Sequence, residues 1–409
     1  MDTPTCRAVA TGRDAGAVNT EARGDRARPV VILARIVATT LLAVGAIACG
    51  GSDVDDEASD AGPAAAAAVE QPDTSAPSCD GASLEQRAAL ALVVGLPGVT
   101  GADDPLVDEL VATGVGGVML RDENLVELGQ GQALVRGLRE RLGPDLLVAI
   151  DEEGGRVSSL RALGDKTPSA RRLGQAGADA AAQAGSALGE RLRSLGVDWI
   201  FAPVLDLDGG PATGVIGDRS YGVDPAAVTE AAAAFAGELR RAGVAVTLKH
   251  YPGHGGNGDP HLEVSVDDST REELTGADLV PFQALIESGA EAVMVGHVAY
   301  PRVWTDLPAS LEPGAYELLR SVGFDGIAIT DALGMGTITT RWGFDVAPSM
   351  ALAAGADAAL VNQGGSFRVL VDGIVAAVDR GDLSEARLNE AVTRVLDLHG
   401  RQGTVQICS

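Results

Sequence analysis

Basic side chains are scarce in this chain of 409 residues. Lysine and arginine together number 31 against 57 acidic residues, which gives a formal net charge of −26 at pH 7. Phosphate backbones and anionic lipids need cations to neutralise them, so this balance argues against a nucleic-acid partner and against an anionic membrane surface. Lys166 and Lys249 are the only lysines, which makes the position of Lys249, directly before His250, notable.

An apolar run long enough for a comfortable membrane span is also missing near the N-terminus. Residues 31–48 are apolar apart from Arg35, and the basic residues Arg23, Arg26 and Arg28 precede them. The run after Arg35 is too short to span, whereas a basic segment, a short apolar segment and small residues are typical of an export signal. The end of the run, Ala-Ile-Ala before Cys49, resembles a bacterial lipoprotein signal over residues 1–48. An ordinary signal peptide or a membrane anchor is the alternative.

Large apolar residues are nearly absent from residues 50–78. Such a composition cannot build a core and predicts a flexible linker over 49–83, with Cys49 as its lipidated first residue. Folded sequence is expected from about Leu84, with one domain over 84–402 and a short tail over 403–409.

Cysteine is rare, and the four cysteines divide into two groups. Cys6 would be removed with the signal and Cys49 would be lipidated. Cys79 and Cys408 remain, one at each edge of the folded part. Outside the cytoplasm a disulfide between these two is permitted.

The rest of the chain alternates between two kinds of segment. Hydrophobic residues make up 46% of the sequence, enough for a real core. Short β-branched runs predict strands at 89–96, 115–120, 146–151, 198–203, 244–250, 292–297, 326–331 and 358–363. Helices are predicted between them, at 125–141, 178–195, 225–242, 270–288, 312–321 and 346–354, with a last helix at 384–399. Apolar strands alternating with helices indicate a parallel sheet covered on both faces. Eight such units predict a single (β/α)8 barrel of the TIM type, with an open doubly wound sheet as the alternative.

Polar residues stand at or next to the C-terminal ends of five of these strands. They are Asp151, Lys249, His250, His297, Asp331 and Asn362. In a barrel these ends converge on one mouth, where barrel enzymes hold their catalytic groups. The alternative is that each residue only caps a loop.

The densest motif is KHYPGHGGNGDPH, residues 249–261. Its G-x-G-x-x-G match does not open a helix, which disfavours a dinucleotide site. His250 and His254 have the spacing of some zinc ligands, but the proline and glycine between them break the helix that this spacing needs. We therefore expect no metal and no cofactor. The third interpretation is a mobile catalytic loop in which Asp259 orients and polarises the His261 imidazole.

This segment resembles the K-H-F-P-G-H-G…D-S-H signature of family 3 glycoside hydrolases, in their bacterial β-N-acetylglucosaminidase branch. Further matches follow in the family's order along the chain: IDEEGGRV (150–157), FAPVLDL (201–207), VIGDRSYGVDP (215–225), AVMVGHVAYP (292–301), LPASL (307–311) and GFDGIAITDALGM (323–335). The resemblance covers about residues 84–400.

The resemblance implies a role for each matching residue. Asp331 would be the nucleophile and His261 the general acid/base, with Asp259 as its partner. The residues implied to bind the substrate are Asp151, Arg219, Lys249, His250 and His297, the last either touching the sugar or lying behind it. Glu152 and Glu153 are expected to be hydrogen-bond partners rather than catalysts, and His254 is expected to pack under the loop.

Two positions depart from the family pattern. The loop has three residues between Gly255 and Asp259 where the family commonly has four, and Pro260 replaces the usual serine. In addition, an arginine that is common eight positions after the third-strand aspartate is Ser159 here, with Arg161 nearby. The first departure concerns the acid/base geometry, and the second leaves one substrate contact unassigned.

Taken together, the residues predict an exported, lipid-anchored, monomeric enzyme of the cell envelope. The resemblance implies a retaining exo-β-N-acetylglucosaminidase that removes terminal N-acetylglucosamine (GlcNAc) from peptidoglycan fragments or chito-oligosaccharides. The alternatives are a family 3 β-glucosidase, a β-N-acetylglucosaminide phosphorylase, and a non-catalytic sugar-binding lipoprotein. Binding alone would need neither Asp331 nor the Asp259–His261 pair, which argues against the last of these.

Overall fold

The structure is a computed structural model that describes Cys79 and residues 81–254, 265–362 and 366–400, apart from the side chain of His399. The strands are β1 Leu92–Gly95, β2 Gly117–Leu120, β3 Leu147–Ile150, β4 Glu152–Gly154, β5 Val157–Ser158, β6 Trp199–Ile200, β7 Ala245–Tyr251, β8 Ala292–Val295, β9 Ile327–Thr330 and β10 Ala359–Val361. The helices are α1 Leu84–Leu90, α2 Pro105–Thr113, α3 Leu128–Leu142, α4 Ala170–Ala176, α5 Ala178–Leu195, α6 Pro225–Arg241, α7 Arg271–Gly276, α8 Leu279–Glu287, α9 Pro313–Ser321, α10 Gly336–Trp342, α11 Ala347–Ala354, α12 Phe367–Arg380 and α13 Glu385–Gly400.

Eight of the strands form one parallel sheet in the order β10-β1-β2-β3-β6-β7-β8-β9. The two ends of this sheet meet through a parallel bridge between Ile329 and Ala358, where the Thr330 amide donates to the Ala358 carbonyl at 3.1 Å. The sheet is therefore a nearly closed barrel, and the predicted (β/α)8 fold is confirmed. Each predicted strand run contains one barrel strand.

Two layers of apolar side chains hold the barrel. Residues that alternate along the strands point inward and fill its interior, among them Val93, Met119, Ala149, Trp199 and Met294. The intervening residues point outward and pack against the helices. Inside the barrel, the Trp199 indole donates to Thr247 Oγ1 at 2.7 Å, which satisfies the polar atom of a fully buried ring.

Helices α2 and α12 lie where no helix is predicted, and three further differences between prediction and structure have a local cause. The first predicted strand begins too early, because Ser83 and Gln86 form a capping box that starts helix α1 and keeps it helical to Leu90. The predicted helix 270–288 is two helices, α7 and α8, broken where Ala277 leaves helical geometry. The β4–β5 hairpin was not predicted. It depends on Gly154 at φ +82°, where a Cβ atom would lie 2.4 Å from the Pro168 carbonyl oxygen.

Candidate active site

A cavity of about 370 Å³ opens at the C-terminal ends of the barrel strands. It contains five of the six strand-end residues that the sequence singled out, together with Arg219 and His254. Its lining is Met119, Arg121, Asp151, Val157, Phe201, Val215, Arg219, Lys249, His250, His254, Met294, Asp331, Ala332, Met335, Leu360 and Asn362. The barrel thus brings together residues that are more than 200 positions apart in the chain.

Asp331 lies directly after β9 and is held on both sides by the backbone. Its amide donates to the Val295 carbonyl at 2.8 Å, and its Oδ1 accepts the Ala332 amide at 2.7 Å. Burial alone would raise the pKa of this carboxyl, but His250, His297, the Ala332 amide and Lys249 outweigh it and lower the pKa to about 2. The carboxylate is therefore ionised at neutral pH, as an attacking group must be.

His297 lies behind Asp331 rather than in the cavity lining. The side chain is 1% exposed, with Nδ1 at 2.7 Å from Ser310 Oγ and Nε2 at 3.2 Å from the Ala332 carbonyl oxygen. Because a carbonyl can only accept, Nε2 carries the proton. Of the two positions that the sequence left open for His297, this geometry favours the one behind the sugar, where it binds the carbonyl of Ala332, the residue after Asp331.

Lys249 joins two carboxylates at the centre of the site. Its Nζ lies 2.7 Å from Asp151 Oδ1 and 2.6 Å from Glu153 Oε1. Burial opposes the charge, but Asp151 and Glu153 raise the pKa of Lys249 above its ordinary value. The ammonium group is therefore fixed in position at the floor of the cavity, within reach of a ligand that lies on Asp151.

Arg219 continues this chain of charges toward His250. It binds Glu153 through two parallel hydrogen bonds of 2.7 Å, from Nε to Oε2 and from Nη2 to Oε1. Nη2 also lies 3.1 Å from His250 Nε2. Although Glu153 is buried, Arg219 and Lys249 hold its pKa below the usual range of a glutamate. Glu153 thus spaces the two cations and keeps both charged, as a hydrogen-bond partner rather than as a catalyst.

The tautomer of His250 follows from its two neighbours. Nδ1 lies 2.7 Å from Asp206 Oδ2, and the His250 amide donates to the same carboxylate at 3.2 Å. An arginine can only donate, so Nε2 accepts from Arg219 and Nδ1 carries the proton given to Asp206. His250 therefore presents its ring to the cavity in a fixed orientation.

His254 is a buried imidazole without partners in the residues that the structure describes. It is 4% exposed, its ring centre lies 6.4 Å from that of His250, and neither ring nitrogen has a hydrogen-bond partner there. Burial lowers the pKa of His254 below its ordinary value, so the ring is neutral near pH 7. The side chain lines the cavity, in addition to the packing role that was expected.

Several predicted residues lie outside the described residues: Asp259 and His261 with the shortened loop, and Cys49 and Cys408 near the chain ends. Their roles stay predictions. Cys79 is buried and forms a disulfide, and the other three cysteines of the chain also lie outside the described part.

Sequence reasoning missed two residues of the site. Asp206, which orients His250, stands in the quoted FAPVLDL motif but was not assigned a role. Arg121 lines the cavity and directly follows β2, as Asp151 directly follows β3. Its position at a strand end was the signal that could have identified Arg121. Within the described residues, no group of three or more His, Cys, Asp or Glu side chains could hold a metal ion, and no helix is long and apolar enough to cross a membrane.

An ionised carboxylate that shares a cavity with Lys249, His250 and Arg219 at the C-terminal ends of (β/α)8 barrel strands is an arrangement that suits a glycoside hydrolase. Residues 91–398 match the glycosyl hydrolase family 3 N-terminal domain. β-Hexosaminidase LpqI of Mycobacterium tuberculosis is 37% identical over 381 residues, which cover 90% of this chain and 97% of that relative.

Solved structures agree with this match. A family 3 β-N-acetylglucosaminidase from Paenibacillus sp. str. FPU-7 superposes with a TM-score of 0.74 at 34% identity, covering 80% of this chain and 64% of that chain. The structure of M. tuberculosis LpqI superposes with a TM-score of 0.72 at 38% identity, covering 78% and 94%. This chain belongs to glycosyl hydrolase family 3, and it is an enzyme of the β-N-acetylhexosaminidase type.

Proposed function

We propose that the protein is a retaining exo-β-N-acetylglucosaminidase that releases terminal GlcNAc by double displacement, with Asp331 as the nucleophile. The observation that carries the proposal is the Asp331 carboxylate, ionised and fixed at the wall of a cavity that holds Lys249, His250 and Arg219. The names of the β-hexosaminidase and β-N-acetylglucosaminidase relatives support the choice of sugar.

In the first step an oxygen of Asp331 would bond to the anomeric carbon while the bond from that carbon to the leaving oxygen breaks. His261 would give its proton to the leaving oxygen. In the second step His261 would take a proton from water as the water oxygen displaces Asp331, which releases GlcNAc with its original configuration. Asp259 would orient His261 through both steps.

The fixed donors of the cavity have a defined task in these steps. Hydrogen bonds that tighten as the oxocarbenium-like transition state forms accelerate the reaction, whereas equal binding of substrate and transition state does not. Lys249 and Arg219 are held in place by Glu153, and His250 by Asp206, so none of the three must reorganise when charge develops.

For the substrate, we propose the GlcNAc-terminated fragments of peptidoglycan or chito-oligosaccharides. The test is turnover of 4-nitrophenyl β-GlcNAc and of 4-nitrophenyl β-glucoside, each with and without phosphate, with the product anomer followed by NMR. We expect hydrolysis of the GlcNAc substrate with β-GlcNAc formed first. A requirement for phosphate would assign a phosphorylase, a preference for the glucoside would assign a β-glucosidase, and no turnover would leave a binding protein.

The acid/base assignment has its own test. His261→Ala should slow substrates with poor leaving groups most, because those need protonation of the leaving oxygen. Activated aryl glycosides should be affected less in the glycosylation step. Equal losses on both classes, with deglycosylation shown not to limit either, would indicate that His261 is structural.

We further propose that the protein is exported and held at the cell envelope by a lipid on Cys49. Fractionation of cells that express the full chain should place the protein with membranes, and Cys49→Ser should shift it to the soluble fraction. Membrane association that persists in Cys49→Ser would contradict the lipid anchor and would indicate that the apolar segment itself is retained.

A further inference from the structure

Arg121 is a cation in the cavity that the proposed mechanism does not use. It follows β2, lines the cavity and is exposed. Its guanidinium donates no hydrogen bond and forms no ion pair with any described residue. Other arginines around the site are engaged: Arg219 binds Glu153, while Arg156 and Arg171 hold carbonyl groups of the 208–217 segment. Among the described residues, nothing engages the Arg121 guanidinium, which leaves it available to a ligand in the cavity.

Strand register sets Arg121 beside Asp151. Leu120 pairs with Ile150 in parallel, so Arg121 and Asp151 leave β2 and β3 at the same level. Side chains alternate along a strand, and Met119 and Ala149, two positions earlier, both belong to the barrel interior. Arg121 and Asp151 consequently project toward the same side of the cavity.

The order of strands places this pair across the barrel from the nucleophile. Asp331 directly follows β9. Going round the barrel from β9, the strands come in the order β10, β1, β2 and β3. β3 is thus the fourth of eight strands from β9 and lies opposite it, with β2 next to it. If a pyranose spans the cavity with its C1 at Asp331, then C4, the ring atom opposite C1, lies on the side of β2 and β3.

The position eight residues after Asp151, where the family commonly has an arginine, is Ser159 in this chain. Ser159 is 5% exposed, donates to the Asp151 carbonyl at 2.6 Å and lies outside the cavity lining. Arg161 donates to the carbonyls of Gly155 and Arg156 and also lies outside the lining.

We propose that Arg121 is a specificity-determining residue that, together with Asp151, reads the C4 hydroxyl of the terminal sugar. The guanidinium would donate to the hydroxyl oxygen, and the hydroxyl would donate to Asp151, whose other oxygen, Oδ1, accepts from Lys249. Such a pair requires a free C4 hydroxyl and so selects a non-reducing end. This inference rests on the proposed function, since it places C1 at Asp331.

The test compares 4-nitrophenyl β-GlcNAc with its 4-deoxy analogue on the full chain. Arg121→Gln should lower kcat/KM for the hydroxylated substrate by about tenfold to a hundredfold, the range for a hydrogen bond from a charged donor. The 4-deoxy substrate should change by less than about threefold, because the lost contact is absent from it already. Arg121→Lys keeps the charge without the planar fork and should fall between Arg121→Gln and wild type.

Arg161→Gln is the matched control and should leave kcat/KM unchanged on both substrates. Equal losses on the two substrates in Arg121→Gln, or no loss on either, would overturn the assignment to Arg121. A selective loss in Arg161→Gln would transfer the contact to Arg161. Failure of the wild-type enzyme to cleave the GlcNAc substrate would instead reject the proposed function, which separates the two outcomes.

Discussion

At the scale of single residues, the site depends on how each carboxylate is paired. Asp331 has its charge stabilised by a backbone amide and by several side chains at once, whereas Asp206 accepts from the imidazole and the backbone amide of one residue, His250. The first arrangement leaves a carboxylate that can attack, and the second leaves a carboxylate that can only orient.

Asp331→Ala should abolish turnover without unfolding the protein, because the residue lies at the cavity mouth and no glycosyl-enzyme can form without its carboxylate. Asp325→Ala, at an exposed aspartate in the loop before β9, is the control and should keep full activity. The measurements are kcat for the aryl glycoside and the thermal midpoint. More than a few per cent of activity in Asp331→Ala would reject the assignment.

The pH dependence follows from the direction of the Asp331 shift. The folded pKa of about 2 lies below the ordinary value of 3.8, so ionisation of this group stabilises the fold above about pH 4 and the contribution is lost as the pH falls toward 2. The nucleophile should therefore stay ionised across the working range. We expect kcat/KM to show no inflection near pH 4 that is caused by Asp331, and a pH profile on an activated substrate checks this.

Asp206→Asn tests the orienting role. The variant keeps the shape but loses the charge that accepts from His250 Nδ1, and kcat/KM should fall by about tenfold to a hundredfold. Asp179→Asn, at an exposed position of α5, is the control and should be neutral. A fall in thermal midpoint with unchanged kcat/KM at low temperature would show that Asp206 serves the fold and not the imidazole.

At the scale of elements, the β4–β5 hairpin carries the charge that organises the site. β4 follows β3 after one residue and brings Glu153 beneath Arg219 and Lys249, which come from other parts of the chain. The hairpin closes through glycines with positive φ. A short, irregular insertion thereby supplies the counter-ion for two cations that would otherwise be buried together.

Glu153→Gln should be strongly destabilising for this reason. Removing one partner of a buried ion pair leaves the others uncompensated, and the free energy of unfolding should fall by about 3 kcal/mol. Asp372→Asn breaks the exposed Arg368–Asp372 pair, with side chains 59% and 56% exposed, and should cost less than about 0.5 kcal/mol. Denaturant unfolding of both variants gives the comparison, and similar values would contradict a buried network.

At the scale of the whole molecule, the two ends of the barrel domain are joined. Arg87 of α1 donates to Asn389 Oδ1 at 2.5 Å and to Glu385 Oε1 at 2.7 Å, both in α13. Cys79 lies just before α1, is 3% exposed and forms a disulfide. Closure of the barrel thus brings the last helix, α13, back to the first segment. Cys408 follows α13 in the sequence.

We predict that the partner of Cys79 is Cys408. Such a bond would close a loop of about 330 residues and constrain the unfolded chain by several kcal/mol in the loop-entropy description. Mass spectrometry of the exported protein, digested without reduction, should yield one peptide pair that contains both cysteines. Free Cys408 in its own peptide would reject the pairing. Cys408→Ser should also lower the thermal midpoint.

The barrel could be predicted from the amino-acid sequence, because the signals for strands and helices are local. Alternating apolar runs and helical stretches identify strands and helices from neighbouring residues alone, and strand-end positions marked Asp151, Lys249, His250, Asp331 and Asn362 before any contact was known. The predicted ends of elements are wrong where a local signal favours another structure. One example is the Ser83 capping box, which keeps residues 84–90 helical although the predicted strand begins at residue 89.

Which of these side chains bind one another depends on how the elements pack in three dimensions. Glu153 gained its role because a hairpin too short to have a period places it under Arg219, and Asp206 because a loop brings it to His250. His297 lies behind Asp331, since both its ring nitrogens face groups of the barrel wall. Such pairings join residues from 13 to 66 positions apart, and no periodicity in the chain encodes a contact across that separation.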